Sequence, residues 1–144
     1  MAEGFVLDTS AWIALDEREP GADEVEAILS KAWLGEAEVH ACFATLMELE
    51  YIRTQERDAR QAAELLAFAK AQPVQWLHSD DALCSSAAQL KAAHRISFAD
   101  AFVAATALRW NAVLVHKDPE FEALIGVLRL QALPPKGVGP ARTS

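Results

Sequence analysis

Four acids stand in largely apolar sequence and outside charged runs. They are Asp8 in Val6-Leu7-Asp8-Thr9-Ser10-Ala11, Glu48 in Ala44-Thr45-Leu46-Met47-Glu48-Leu49, Asp100 in Ser97-Phe98-Ala99-Asp100-Ala101-Phe102, and Asp118 in Leu114-Val115-His116-Lys117-Asp118-Pro119-Glu120-Phe121. They are separated by 40, 52 and 18 residues, so joint chemistry requires a fold that gathers them. Carboxylates brought together in a partly desolvated cleft repel one another and do not all stay ionised without compensation. A hard divalent cation, Mg2+ or its substitute Mn2+, provides that compensation by taking carboxylate oxygens and water, and it leaves positions open for a phosphate oxygen. The same residues would then serve metal-assisted hydrolysis of a phosphate ester. Ser10, Cys42 and Cys84 lack a nearby His and acid relay, so no covalent nucleophile competes with water.

Each acid also has a purely structural reading. Asp8 can cap a helix that starts at Thr9, Thr45-x-x-Glu48 and Ser97-x-x-Asp100 both read as capping boxes, and Asp118 before Pro119 reads as an N-cap with proline in the first turn. Asp100 resists this reading most, because its helix is apolar almost all round and would bury the charge.

The elements that would carry these acids alternate between strand and helix. Phe5 to Leu7, Val39 to Phe43, Val74 to Leu77, Ala112 to Val115 and Val127 to Leu130 are short strand-like runs. Helical spacing is expected after Asp8, from Val25 to Trp33, from Thr45 to about Thr54, from about Arg57 to Lys70, from Asp80 to His94, from Ser97 to Trp110, and briefly after Pro119. Strands separated by helices imply a three-layer α/β/α domain with a mainly parallel central sheet of four to five strands. Sites in such sheets gather at the carboxyl edge. Asp8 and Asp118 follow strands, and Glu48 is expected in the first turn of the helix that leaves the second strand. Asp100 begins a helix that runs antiparallel to the strand after it, which brings its first turn back to the same edge.

At 144 residues the chain is expected to form a single domain over residues 1–133, with the Pro- and Gly-rich stretch 134–144 as a flexible tail. The formal net charge of −8 disfavours diffuse attraction to nucleic acid or anionic lipid, so nucleic-acid chemistry would need local cations. No apolar run is long enough to span a bilayer and no signal-peptide pattern opens the chain, which leads us to expect a cytoplasmic protein with no membrane partner. Cys42 and Cys84 show neither disulfide nor zinc spacing and are expected as small core residues.

The four acid-bearing segments, in this order and together covering about residues 5 to 124, resemble the motifs of PIN-domain ribonucleases, most closely the VapC-type toxins. The resemblance implies a PIN-like fold in which Asp8, Glu48, Asp100 and Asp118 form a catalytic, metal-binding quartet, with Thr9 or Ser10 adding a hydroxyl. It also implies a Mg2+-dependent endoribonuclease acting on RNA through activated water to leave 5′-phosphate and 3′-hydroxyl ends, a cognate antitoxin partner, and a homodimer. His116 departs from the family, which usually carries Thr or another small polar residue there. As an auxiliary residue it would contact a phosphate or fill space, and a lone His favours filling space.

Weaker signals complete the reading. Arg53, Arg57 and Arg60 would form a cationic strip for RNA if one helix ran through them, although Glu56 and Glu64 are placed to neutralise it. Trp12, Ile13, Leu29 and Trp33 offer apolar anchors for a partner; the tryptophans otherwise belong to the core, with Trp33 near Gly35 the one expected at the surface. A haloacid-dehalogenase phosphatase would need a second Asp where Ser10 stands. A phospho-receiver would need an Asp after a middle strand. A catalytically silent binding module, whose acids only cap helices, remains the alternative.

Overall fold

The computed structural model describes residues 2–135, so most of the expected tail lies outside the described residues. Five strands form one wholly parallel sheet: β1 (Glu3–Leu7), β2 (Ala37–Cys42), β3 (Gln75–Leu77), β4 (Val113–His116) and β5 (Leu130–Ala132), in the order β3-β2-β1-β4-β5. The helices are α1 (Thr9–Asp16), α2 (Ala22–Trp33), α3 (Phe43–Glu56), α4 (Ala59–Lys70), α5 (Asp81–Ala93) and α6 (Phe98–Trp110), with a 3-10 helix over Pro119–Leu124. The α/β/α fold expected from the sequence is therefore the fold observed.

β1 is the central strand, registered as Val6 with His40 on one side and with Leu114 on the other. Its side chains alternate between two cores. Phe5 and Leu7 join Val39 and Val115 beneath Trp12, Val25, Leu49 and Leu65, the face covered by α1 to α4. Val6 and Leu114 join Val103, Ala104, Ala107 and Leu83, the face covered by α5 and α6. The chain steps outward from β1 to β3, then crosses back to β4 on the other side of β1. Right-handed crossovers in opposite directions put their helices on opposite faces, which explains the two layers. They also create a switch point at the carboxyl ends of β1 and β4, where such sheets open a crevice.

Several local expectations are corrected. The last strand is Leu130–Ala132 and not Val127 to Leu130, because Gly126 takes a left-handed φ of 90° and the chain turns there, with the Val127 and Leu128 amides bonded to Leu124 O. α3 starts at Phe43 with Cys42 as N-cap and no side-chain cap, so Thr45-x-x-Glu48 is not a capping box. α3 ends at Glu56 with Arg57 as its C-cap, and α4 starts only at Ala59, capped by Asp58, which interrupts the arginine spacing. Cys42 is buried but Cys84 is exposed, since the buried face of α5 is Leu83, Ala87 and Leu90. Trp12 is buried and stacks on Trp76, and Leu29 is buried too, so neither is a free anchor; Trp33, 65% exposed, is. Among the described residues no helix is long and apolar enough to cross a membrane.

The turn between α1 and α2 is pinned from across the molecule. Gly21 has φ 97°, and a Cβ there would lie 2.9 Å from Leu133 Cβ. Leu133 is itself buried, and its amide bonds His116 O at 2.7 Å. Gly21→Ala combines a disfavoured backbone conformation with a steric clash and is expected to cost about 1–3 kcal/mol in urea unfolding. A substitution that left the unfolding midpoint unchanged would show that the turn is not held this way.

Candidate metal centre and active site

Asp8 leaves the end of β1 and caps α1: its Oδ2 accepts the Ser10 amide at 3.1 Å and the Ser10 hydroxyl at 2.5 Å. The Ser10 hydroxyl in turn accepts the Lys117 amide at 2.9 Å, which links the ends of β1 and β4. Glu48 stands in the second turn of α3, one turn later than expected, and its Oε1 accepts the Thr9 hydroxyl at 2.6 Å, with Thr45 Oγ1 3.3 Å from Thr9 Oγ1. Asp100 occupies the first turn of α6, where its amide donates to the N-cap Ser97 Oγ at 3.1 Å. Asp118 follows β4 and caps the 3-10 helix, its Oδ1 accepting the Glu120 amide at 2.9 Å. Asp8 and Asp118 thus cap their helices as expected, and of the Ser97-x-x-Asp100 box the Ser97 half is formed; these caps do not compete with a site, because all three helices begin at one sheet edge.

A fifth acid joins them. Oxygens of Asp100, Asp118 and Glu120 all lie within 4.8 Å of one another. That is close to the roughly 4.2 Å between opposite ligands of an octahedral Mg2+ with bonds of about 2.1 Å. The sequence reading overlooked Glu120. The available signal was its place two residues beyond Asp118, where the first turn of a capped helix returns a side chain to the cap.

Electrostatics single out two members. Asp8 is 3% exposed and its carboxyl is pushed up to about 6, first by burial and then by the charges of Glu48 and Asp118, against the lowering effect of the two Ser10 bonds. Asp100 is raised well above the carboxylate range, first by burial, then by a hydrogen bond with Glu120 and the charges of Asp8 and Asp118. Asp8 Oδ1 is buried and has no hydrogen-bond partner. An orphaned carboxylate oxygen beside a compact all-oxygen cluster fits a hard cation, for which Asp8, Asp100, Asp118 and Glu120 supply the donors and Glu48 stands near.

Among the other expected residues, His116 is buried, tilted against Phe121 at 5.1 Å between ring centres, and burial lowers its pKa; it fills space. The arginine strip is not a free surface. Arg53 is buried and bonds Asp16 at 2.7 Å and Glu17 at 3.3 Å, Arg57 bonds Glu17 at 3.4 Å, and Arg60 pairs with Glu64. Arg57 also lies nine residues beyond Glu48 in α3, roughly 13 Å along the helix axis.

Two outcomes test the site. Carboxyls whose pKa is raised on folding bind more protons in the native state, so they favour folding below their ordinary pKa and this support is lost as pH rises through the raised values. In EDTA the melting temperature is therefore expected to fall from about pH 4 through pH 6 and beyond, and Asp100→Asn to flatten that slope and melt no lower than wild type at pH 8. A steep loss of stability in Asp100→Asn would mean that this carboxylate is needed structurally. Glu120→Gln is expected to weaken Mn2+ binding about ten-fold or more in calorimetry, and unchanged affinity would remove it from the donor set.

A PIN domain family model matches residues 5–126. No curated protein matches the chain by sequence. Among solved structures it is similar to VapBC2 from Rickettsia felis bound to a DNA fragment from its promoter, at 17% identity, with 91% of this chain and 99% of that one covered and a TM-score of 0.72. It is also similar to DNA-bound VapBC from Salmonella typhimurium, at 19% identity over 92% and 98% of the two chains with a TM-score of 0.71. Mycobacterium tuberculosis VapC20, a toxin that cleaves the sarcin-ricin loop, is similar at 20% identity over 83% and 93%, with a TM-score of 0.66. At these identities the likeness is one of fold. The family match, in contrast, runs from β1 past the 3-10 helix and takes in every acid-bearing segment, and on that match the chain belongs to the PIN domain family.

Proposed function

We propose that this protein is a metal-dependent endoribonuclease and the toxin of a type II toxin-antitoxin pair. The observation that carries the reading is the convergence of Asp8, Asp100, Asp118 and Glu120, with Glu48 alongside, at one sheet edge where one carboxylate oxygen is buried without a partner. A binding module whose acids only capped helices would have no reason to assemble repelling carboxylates, because one cap needs one acid.

The chain's own residues have separable tasks in this reading. Asp8, Asp100, Asp118 and Glu120 hold a divalent cation, Mg2+ with Mn2+ as substitute, and thereby lose their mutual repulsion. Thr9 holds Glu48 by its hydroxyl, and Ser10 holds Asp8, so both carboxylates keep one orientation. When bound, the cation supplies charge neutralisation for a scissile phosphodiester and eases deprotonation of the attacking water. Glu48, half-buried at the edge of the cluster, is placed to orient that water or to complete the donor set through one. In-line attack by water leaves a 5′-phosphate and a 3′-hydroxyl.

Support for a partner comes from the neighbours, several of which are solved as toxin-antitoxin complexes. The net charge of −8 favours a basic antitoxin segment, and Trp33 and Leu34, both exposed at the end of α2, offer apolar contact for it. RNA as substrate, a homodimer and a cytoplasmic setting belong to the same proposal.

Purified protein incubated with tRNA and ribosomal RNA fragments is expected to cleave in Mg2+, to stop in EDTA, and to lose at least about a hundred-fold in rate as Asp8→Ala or Asp100→Ala. Cleavage that persists in EDTA, or products ending in 2′,3′-cyclic phosphate, would overturn this mechanism. Light scattering that finds only monomer at micromolar concentration would overturn the dimer.

A further inference from the structure

Lys117 is joined to two distant parts of the molecule at once. Its amide donates to Ser10 Oγ at 2.9 Å, and Ser10 Oγ donates to Asp8 Oδ2 at 2.5 Å. A hydroxyl has a single proton, so accepting from Lys117 leaves Ser10 free to aim that proton at Asp8. Asp8 Oδ2 also takes the Ser10 amide, which places both fixed bonds on one oxygen and leaves Oδ1 as the unpartnered one.

The other end of Lys117 runs into the turn between α1 and α2. Its Nζ donates to Pro20 O at 2.9 Å and to Glu19 Oε1 at 3.2 Å, and only 7% of the Lys117 side chain and 12% of the Glu19 side chain remain exposed. The next residue of that turn is Gly21, wedged against Leu133, whose amide bonds the carbonyl of His116, the neighbour of Lys117. Turn, β4 end and β5 end are therefore one mechanical unit. Removing the ammonium from so sheltered a place takes the donor from the Glu19 carboxylate and the Pro20 carbonyl together, so the turn loses both of these ties at once. A lysine meant for the phosphate backbone of a substrate would keep its ammonium in water, whereas this one is committed to a carbonyl and a carboxylate of its own chain.

We infer that Lys117 is a positioning residue for the candidate metal centre: by clamping the α1–α2 turn it holds its own amide on Ser10 and so fixes the orientation of Asp8, without touching metal or substrate. The inference rests on the metal reading above. Partners that orient a ligand in this way typically carry 10–100-fold in metal affinity.

The test compares Lys117→Met, Glu19→Gln and the double variant in metal-free protein, by Mn2+ calorimetry and by NMR amide exchange. Lys117→Met is expected to bind Mn2+ about ten-fold or more weakly and to lose exchange protection at the amides of Ser10 and position 117 while the β1 amides keep theirs. The double variant lacks the same clamp and is expected to bind Mn2+ no more weakly than Lys117→Met alone, a non-additivity that two independent contributions would not show. Wild-type affinity and protection in Lys117→Met would overturn the inference, as would a double variant weaker than Lys117→Met. If Lys117→Met does not fold, Glu19→Gln decides alone: a several-fold loss supports the clamp and unchanged affinity refutes it. Should the wild type take up no Mn2+, the metal reading fails, and the amide exchange still decides whether Lys117 holds Ser10.

Discussion

The mutual repulsion of carboxylates gathered at one sheet edge is the constraint on which the rest of this structure depends. Asp8, Asp100, Asp118 and Glu120, with Glu48 nearby, come together at the carboxyl ends of β1 and β4, and two of them are buried deeply enough for their acidity to be strongly weakened. Nothing about a parallel sheet demands such crowding. A chain that keeps it must hold the acids against their own repulsion, and the surrounding architecture does so with backbone amides, hydroxyls and helix ends instead of neighbouring cations. The nearest lysine, Lys117, spends its charge on Glu19 and Pro20.

Capping is how repulsion and folding are reconciled. Asp8 and Asp118 each give one oxygen to the amides of the helix that follows, and Asp100 sits in a first turn capped by Ser97. The partial positive charge of a helix N-terminus offsets part of the cost of a carboxylate placed there. Asp8 and Asp118 thus stabilise their own elements while a second oxygen of each faces no cap, and three elements with independent caps deliver their acids to one place. The alanine-rich surface of α6 adds to this, since Ala101, Ala104 and Ala105 let the helix lie close on the sheet and bring Asp100 within reach of β1 and β4.

Much of this was legible in the sequence because the informative signals are local. Apolar runs ending in Asp8 and Asp118 mark strand ends, the all-round apolar pattern of α6 marks a buried helix, and the alternation of strand and helix implies the parallel sheet and hence the edge where the acids meet. What the sequence concealed depends on exact starts and on partners far along the chain. Thr45 reads as a cap only if α3 starts after it, and α3 starts two residues earlier. Arg53, Arg57 and Arg60 read as one cationic face only without the break after Arg57, and the acidic partners of Arg53 and Arg57 at the end of α1, Asp16 and Glu17, lie 36 to 40 residues away. Glu120 was easy to miss for a different reason: an acid in a short 3-10 helix shows no periodicity, and its one signal is its place two residues beyond the capping Asp118.

The central claim is that this crowding exists to hold a divalent cation for phosphodiester hydrolysis. Anomalous diffraction from crystals soaked in Mn2+ tests it most directly. The account predicts a single strong peak, or two about 4 Å apart, within about 2.0–2.4 Å of oxygens from Asp118, Glu120 and Asp100 or Asp8. A cluster that stays free of manganese, with its acids paired only with one another, or a peak bound elsewhere on the chain, would contradict it.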